Sequence, residues 1–444
     1  MQRNKIKPII NSNTIIKNGN FKLKLLLLSY FFILISYIIA NIKNLLKYNY
    51  LLNEIVLLCF LFSIGFILTF IMIPPFMDMF LKKGKYGVDI NKVENYMNKE
   101  DPNRKLIPEC LGLVSSVSFL VVLILYVFLG QKLIRNNLRK TYTINNKLKS
   151  LEEINNSFLY DQQLASILIS IVFMILLGFV DDILDLRWRY KLVLPAIASI
   201  PLVVAYPGYS AINLPKFLKF FNNVDSNPNV YILELGIVYK AYLSVISIFC
   251  TNAINIYAGI NGLEVGQSIV IAISMLLYNV ICLVNTNNDN NLNIELFNNN
   301  VDSIVILLLF LSCSLPLFYY NKYPSKCFIG DTYCYFSGIT LACAAIVGKF
   351  EYTILLFFIP QILNFLLSLP QLIGIIECPR HRLPTYNSKT GFLYSKISQL
   401  NLLNQGLRLI GPKREQDLCT IALLFQGLCS AFGFIVRFYI YPKL

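Results

Sequence analysis

The sequence predicts an all-α polytopic membrane protein, and three observations support this fold class. Of the 444 residues, 56% are hydrophobic and only 14% are charged. The mean hydropathy is +0.59, which is too apolar for a soluble protein with a polar exterior. The apolar residues are also gathered in runs of about 20, the length that an α-helix needs to cross a bilayer.

Eleven apolar runs are candidate transmembrane helices. They cover 24–41, 53–80, 111–130, 163–180, 191–207, 233–253, 262–284, 302–320, 333–348, 352–376 and 418–440. The first run follows a basic N-terminus without a small-residue cleavage motif, which favours an uncleaved anchor. The Asn-rich stretch 285–300 is typical of a loop expansion. We therefore expect residues 1–52 to form a basic N-terminus with one additional helix, and 53–444 to form a ten-helix core.

Basic residues indicate which loops face the cytosol. With a cytosolic N-terminus, 25 of the 39 lysines and arginines lie on the cytosolic side, although the opposing loop 131–162 holds six. The positive-inside rule favours this orientation. It also accounts for the net charge of +15, so the expected partner is the lipid bilayer and not nucleic acid. The cytosolic loops are then 81–110, 181–191, 254–262, 321–332 and 377–417.

Histidine and cysteine usage limits the metal chemistry. His381 is the single histidine, which excludes sites that need several imidazoles, such as those of most zinc hydrolases. The eleven cysteines are scattered, and no CxxC or paired spacing suggests a disulfide framework or a zinc site. Any bound metal is therefore expected to have oxygen ligands.

Five polar clusters interrupt or flank the apolar runs. They are "YGVDINK" (86–92) with "IPE" (107–109), "DDILDLRWRYK" (181–191), "NAINIYAGINGLE" (252–264), "FIGDTYC" (328–334) and "CPRHRLP" (378–384). Polar groups at such positions are costly, so they indicate function. All five fall on one side of the membrane, a result that the choice of spans did not require.

The side chains in these clusters suit phosphate transfer. Asp331 and Asn255 offer oxygen ligands of the kind that magnesium prefers. Lys191, Arg380 and Arg382 can neutralise phosphate oxygens. Phosphoryl transfer depends mainly on positioning and charge stabilisation, so this inventory fits a diphosphate donor, a metal and a phosphate acceptor.

Each cluster also has a plain structural interpretation. Asp181 and Asp182 can be ordinary helix-end residues, Trp188 an interfacial anchor, and Asp331 the N-cap of the following helix. None of these interpretations explains why all five clusters share one side. A polytopic transporter is the alternative class, but it predicts charges at mid-span and repeated halves.

Five stretches resemble the polyprenyl-phosphate sugar-1-phosphate transferases. They are "GFVDDILDLRWRYKLVLPAIAS", "FCTNAINIYAGINGLEVGQS", "YPSKCFIGDTYCYFSGIT", "LLFFIPQILNFLLSLPQL" and "CPRHRLP". "LRWR" together with "PRHR" points to the branch that uses UDP-GlcNAc and dolichyl phosphate. The resemblance runs from about residue 53 to the C-terminus. It implies a ten-helix transferase core in the endoplasmic reticulum membrane, with the active site facing the cytosol.

The implied reaction transfers GlcNAc-1-phosphate from UDP-GlcNAc to dolichyl phosphate, giving GlcNAc-diphosphodolichol and UMP, the first step of N-glycan precursor synthesis. The resemblance implies Mg²⁺ as cofactor, with Mn²⁺ as a substitute, and inhibition by tunicamycin. A homodimer is an open alternative to a monomer. A sister transferase that uses another UDP-sugar or another polyprenol is the nearest competing function.

The resemblance assigns roles to individual residues. Asn255 and Asp331 would bind the metal, and Asp181, Asp182 and Lys191 would be catalytic, with the two aspartates as organisers and proton abstraction by Asp181 as the alternative. The UDP-GlcNAc side would comprise Val88, Asp89, Ile90, Glu109, Asn252, Asn261, Arg380, His381 and Arg382. The dolichyl phosphate side would comprise Lys191, Ile248, Phe249, Cys250, Thr251, Asn252, Ala253, Ile254, Asn255 and Ile256.

Overall fold

The structure, a computed structural model, is dominated by helices. It describes residues 49–89, 106–130, 150–186, 190–206, 211–214, 231–288, 294–377 and 382–440. The helices are α1 (Asn49–Lys82), α2 (Gly112–Gly130), α3 (Ser150–Leu184), α4 (Tyr190–Val204), α5 (Ile237–Ile256), α6 (Leu263–Asn288), α7 (Ile294–Asn321), α8 (Gly330–Val347), α9 (Ile354–Phe357), α10 (Ile359–Leu372), α11 (Leu402–Ile410) and α12 (Glu415–Ile435). The predicted helix at 24–41 lies outside the described residues.

Seven helices in the described ranges are long and apolar enough to cross a membrane. They are α1, α2, α3, α5, α6, α7 and α12, the last extended to Ile440 by a π-helical turn. Each coincides with a predicted apolar run. The prediction of an all-α polytopic membrane protein is therefore confirmed, while the number of helices in the whole chain stays a prediction.

Two predicted features of the chain differ in the structure. The run 352–376 is not one helix, because α9 ends at Phe357 and α10 begins at Ile359. Pro360 lies in the first turn of α10, where its missing N–H is tolerated, whereas in mid-helix its ring would clash with the preceding turn. The run 191–207 forms α4, which has only 15 residues.

The prediction of a loop expansion at 285–300 is wrong for the residues of this stretch that the structure describes. Helix α6 continues to Asn288 and α7 already begins at Ile294, so only 289–293 lie outside the described part of this stretch. Asn300 is almost fully buried, and its amide donates to the carbonyl of Leu296 at 2.9 Å. A run of asparagines can remain helical where its amides find partners of this kind.

Helix α8 lies at the centre of the protein, and all its residues from Thr332 to Val347 are buried. Helices α2, α3, α5 and α7 pack around it. Glycines allow the close contacts: a Cβ at Gly178 of α3 would lie 2.6 Å from the Thr332 Cα, and one at Gly338 would lie 2.4 Å from the Thr251 Cα of α5. The end of α3 therefore meets the start of α8, and α5 meets the middle of α8.

Short antiparallel strand pairs join some of the helices. They are β1 (Tyr86–Val88) with β2 (Leu106–Pro108), β3 (Ala211–Leu214) with β4 (Tyr231–Glu234), and β5 (Thr385–Asn387) with β6 (Phe392–Tyr394). The amide of Phe328 donates to the carbonyl of Pro108 at 2.8 Å. This bond holds the β1–β2 hairpin beside the start of α8.

Candidate active site

An ion cluster around Lys191 occupies the end of the helical bundle where α3 stops and α8 begins. The Lys191 Nζ lies 2.8 Å from Asp181 Oδ2 and 2.8 Å from Asp331 Oδ2. The Asp181 side chain is almost fully buried, but the side chains of Lys191 and Asp331 are 24% and 30% exposed to solvent. A substrate can therefore reach the lysine and one of its two carboxylates.

Asp182 has a different role from Asp181. Its carboxylate accepts hydrogen bonds from the backbone amides of Asp331 and Thr332 and from the Thr332 hydroxyl. The first backbone N–H groups of a helix have no hydrogen-bond partners within the helix. Asp182, on the neighbouring helix α3, accepts from two of these N–H groups at the start of α8. Asp331 lies in the first turn of α8 and is not its N-cap, which is Ile329.

Asp181 is held from several directions. Its Oδ1 accepts from the Leu186 amide at 3.0 Å, and its Oδ2 accepts from the Tyr335 hydroxyl at 3.4 Å as well as facing Lys191. Asp185 has a positive φ of 52° and terminates the turn that follows α3, with its amide bonded to the Asp181 carbonyl. The sequence alone left Asp185 unassigned, and the structure places it at this turn.

Residue 330 must be glycine because the Asp182 carboxylate, which binds the first amides of α8, leaves no room for a Cβ atom. Its φ is +73°, and a Cβ there would lie 2.4 Å from Asp182 Oδ2. We expect Gly330→Ala to lower stability by at least about 1 kcal/mol, because the backbone is left-handed, and to reduce kcat by displacing Asp182. Thermal unfolding and the transfer assay described below measure both effects.

The matched control for this variant is Gly406→Ala. Gly406 lies inside α11, and a Cβ at this position meets no atom within 4 Å. Alanine there is expected to be neutral or stabilising. Equal losses in the two variants would contradict the proposed requirement at Gly330.

The end of α5 reaches the same place through Asn252. The Asn252 amide donates to the Lys191 carbonyl at 3.3 Å and to the Ile248 carbonyl at 2.9 Å. Helices α5 and α8 pack on each other, with Thr251 against Gly338. From this contact, Asn255 lies one turn toward the end of α5 and Asp331 two turns toward the start of α8.

The donor set at this point fits magnesium. Asp331 and Asn255 supply hard oxygens, and no group of three or more His, Cys, Asp or Glu side chains with metal-binding spacing occurs among the residues that the structure describes. A cation held by two protein oxygens needs waters and substrate phosphates to complete its shell, which is the usual situation for Mg²⁺. Both side chains are half-buried, so the shell can be completed from outside.

The segment predicted to meet dolichyl phosphate, 248–256, forms the last turns of α5. Cys250, Thr251, Ala253 and Ile254 are at most 2% exposed. A substrate could contact only the half-buried members, which are Ile248, Phe249, Asn252, Asn255 and Ile256.

On the predicted UDP-GlcNAc side, Asp89 and Asn261 form a buried pair. The Asn261 amide donates to Asp89 Oδ2 at 2.9 Å, and its backbone N–H donates to Glu415 Oε1 at 2.7 Å. Val88 pairs with Leu106 across the neighbouring hairpin.

Two further residues predicted on this side, Glu109 and Arg382, are described. Burial and the nearby Asp331 carboxylate raise the pKa of Glu109 above its ordinary value. The backbone carbonyl of Arg382 accepts from the Asn401 amide. The predicted contacts Ile90, Arg380 and His381 lie outside the described residues.

Sequence reasoning missed several residues that support the site. Glu264 in the first turn of α6 accepts from the Gly259 amide at 3.1 Å and so holds the loop between α5 and α6. Its signal was an acidic residue at the start of an apolar run, a position favoured by the helix dipole. Thr332 and Tyr335 contact Asp182 and Asp181, and neither carries a distinctive sequence signal.

Comparison with known proteins identifies the family. The model of glycosyl transferase family 4 matches residues 164–349. A Dictyostelium discoideum protein named UDP-N-acetylglucosamine–dolichyl-phosphate N-acetylglucosaminephosphotransferase is 42% identical over 393 residues, covering 86% of this chain and 88% of the relative. Proteins of the same name from Schizosaccharomyces pombe and Saccharomyces cerevisiae are 34% and 36% identical. These matches cover 84% and 83% of this chain, and 90% and 88% of the relatives. The chain therefore belongs to glycosyl transferase family 4, among the UDP-N-acetylglucosamine–dolichyl-phosphate N-acetylglucosaminephosphotransferases.

Proposed function

We propose that this chain transfers GlcNAc-1-phosphate from UDP-GlcNAc to dolichyl phosphate, giving GlcNAc-diphosphodolichol and UMP. The observation that carries the proposal is the bridge from Lys191 to Asp181 and Asp331 at the mouth of a membrane-embedded bundle. A lysine ammonium beside a partly exposed carboxylate supports the binding of phosphate groups at this point. The names of the relatives support this choice of donor and acceptor.

The reaction exchanges one phosphorus–oxygen bond for another. An oxygen of dolichyl phosphate forms a bond to the phosphorus that carries GlcNAc, and the bond from that phosphorus to the UMP oxygen breaks, with the electron pair leaving on UMP. A phosphate monoester has a second pKa of about 6, so the acceptor is already largely dianionic at neutral pH. A general base is therefore not obligatory.

The side chains around Lys191 have distinct tasks in this reaction. The Lys191 ammonium neutralises phosphate oxygens as charge shifts between donor and acceptor. Asp181, engaged by Leu186 and Lys191, fixes the direction of the ammonium group, which favours an organising role over proton abstraction. Asp182 holds the start of α8 and with it the position of Asp331.

Asn255 and Asp331 would hold Mg²⁺, with Mn²⁺ as a substitute. When bound, the ion would neutralise charge on the diphosphate of the donor. The protein contributes two fixed oxygens and leaves the remaining positions to water and substrate.

We also propose that the chain resides in the endoplasmic reticulum membrane with the site facing the cytosol. The excess of lysine and arginine in the loops on the site side supports this orientation. Tunicamycin, which mimics the donor, is expected to compete with UDP-GlcNAc.

The test of the proposed function is a donor panel. Purified protein is incubated with dolichyl phosphate, Mg²⁺ and radiolabelled UDP-GlcNAc, UDP-GalNAc or UDP-MurNAc-pentapeptide in separate reactions. We expect label in the organic phase only with UDP-GlcNAc, and loss of that label when tunicamycin is added. Lipid labelling only from another donor would favour a sister transferase.

A further inference from the structure

Three buried glutamines form a chain of hydrogen bonds inside the membrane-embedded bundle. Gln267 on α6, Gln361 on α10 and Gln426 on α12 are all fully buried, and we call them the glutamine ladder. Amide side chains in an apolar interior are costly unless they are paired, and in membrane proteins they commonly serve function. None of the three belongs to the site described above.

The direction of each bond in the ladder is determined. The Gln361 amino group donates to Gln267 Oε1 and to Gln426 Oε1, both at 2.7 Å. The Gln426 amino group donates to the Phe357 carbonyl at 2.7 Å, at the break between α9 and α10. A rotated Gln361 amide would place its oxygen against the side-chain oxygens of Gln267 and Gln426, so the amino group must face them. Among the described residues, Gln361 Oε1 is buried and has no hydrogen-bond partner.

The other end of the ladder reaches the last turn of α5. The Gln267 amino group donates to the Tyr257 carbonyl at 2.8 Å and to the Ile254 carbonyl at 3.3 Å. Beside it, the Asn364 amide donates to the Ile256 carbonyl at 3.1 Å. The final carbonyls of a helix lack partners within the helix, and the bilayer interior offers no water to replace them.

These bonds bracket Asn255. The carbonyls of the residues before and after it, Ile254 and Ile256, are both held by amides from other helices. The path of the backbone at Asn255 is thereby fixed relative to α6 and α10. The backbone at Asn255 therefore cannot shift without breaking buried hydrogen bonds.

We infer that the glutamine ladder, with Asn364, positions Asn255 for metal binding. This inference rests on the proposed function, because it takes Asn255 as a metal ligand. Gln267 is then a positioning residue that acts through the end of α5 without touching substrate. Residues that orient metal ligands typically contribute about 10- to 100-fold to metal affinity or activity.

The test removes the hydrogen bonds of Gln267 and keeps its length. Mn²⁺ binding to purified Gln267→Met protein in the presence of UDP is titrated by electron paramagnetic resonance, and transfer kinetics are measured in parallel. We expect Mn²⁺ affinity and kcat each to fall about tenfold, as for other residues that orient metal ligands, while KM for UDP-GlcNAc stays within about twofold.

The matched control is Asn279→Leu on the same helix. Asn279 is also fully buried, but its amide donates to the Ser303 hydroxyl at 2.8 Å, away from α5. Both variants lose a buried amide and are expected to unfold at a lower temperature, but only Gln267→Met should bind Mn²⁺ more weakly. Equal Mn²⁺ affinity in the two variants would overturn the inference.

A failure of Gln267→Met to fold and a failure of the proposed function can each be distinguished from a failure of this inference. If Gln267→Met does not fold, Gln426→Met removes a more distant bond of the ladder, and it should weaken Mn²⁺ binding in the same direction by a smaller factor. Wild-type Mn²⁺ affinity in that variant would count against the ladder. A wild-type protein that binds Mn²⁺ but makes no lipid product would refute the proposed function, while the comparison of Mn²⁺ affinities would still decide the role of Gln267.

Discussion

Lys191→Met is expected to lower kcat for transfer by roughly a hundred- to a thousandfold, the loss typical of removing one preorganised charge-stabilising group. The lysine lies 2.8 Å from a carboxylate oxygen of both Asp181 and Asp331. Methionine keeps the length and the apolar stem but leaves these carboxylates facing each other without a cation. The transfer assay with UDP-GlcNAc and dolichyl phosphate measures the loss.

The control for this prediction is Lys396→Met, which removes an exposed lysine from the segment between β6 and α11. It should leave kcat within about twofold, because exposed charges contribute little. Lys191→Arg should recover part of the activity, since the charge is kept but the guanidinium is wider than the ammonium. Near-normal turnover by folded Lys191→Met protein would refute the role assigned to this residue.

Asp331→Asn is expected to abolish detectable Mn²⁺ binding and to lower kcat by roughly a thousandfold, because an oxygen ligand and a stabilising charge are lost together. Asparagine has the same shape as aspartate, so the hydrogen bond from the backbone N–H of residue 331 to Asp182 can persist. Electron paramagnetic resonance of Mn²⁺ and the transfer assay measure the two effects separately.

Asp417→Asn serves as its control. Asp417 also lies in the first turn of a helix, α12, so the variant reproduces the loss of an acidic residue at a helix start. It should bind Mn²⁺ as the wild type does. Unchanged Mn²⁺ affinity in the Asp331→Asn protein would exclude this aspartate as a metal ligand.

The gathering of the site residues at one end of the bundle could be predicted from the sequence, but the pairing within the site could not. The order of the apolar runs was enough to bring Asp181, Lys191 and Asp331 to one end of the bundle. Lys191 and Asp331 are 140 positions apart in the chain, and the sequence contains no signal for their contact. The contact depends on how α3 and α5, which both pack against α4 and α8, bring the two helix starts together. Asp181 and Asp182 are adjacent and of the same type, and only the structure divides them between the lysine and the start of α8.

Other features escaped prediction because their signals are weak in a single sequence. Gln267, Gln361 and Gln426 each stand alone in an apolar run, and their shared network exists only after three helices pack together. The Asn-rich stretch 285–300 has a loop-like composition, yet its described residues are helical, and the buried Asn300 amide finds its partner inside the helix.

The most direct test of the central claim follows the phosphorus atom. Purified protein is given UDP-GlcNAc labelled with ³²P on the phosphate next to the sugar, together with dolichyl phosphate and Mg²⁺. Transfer of GlcNAc-1-phosphate predicts that ³²P enters the lipid and that the released nucleotide is unlabelled UMP. Retention of ³²P in UDP, with GlcNAc alone on the lipid, would contradict the account.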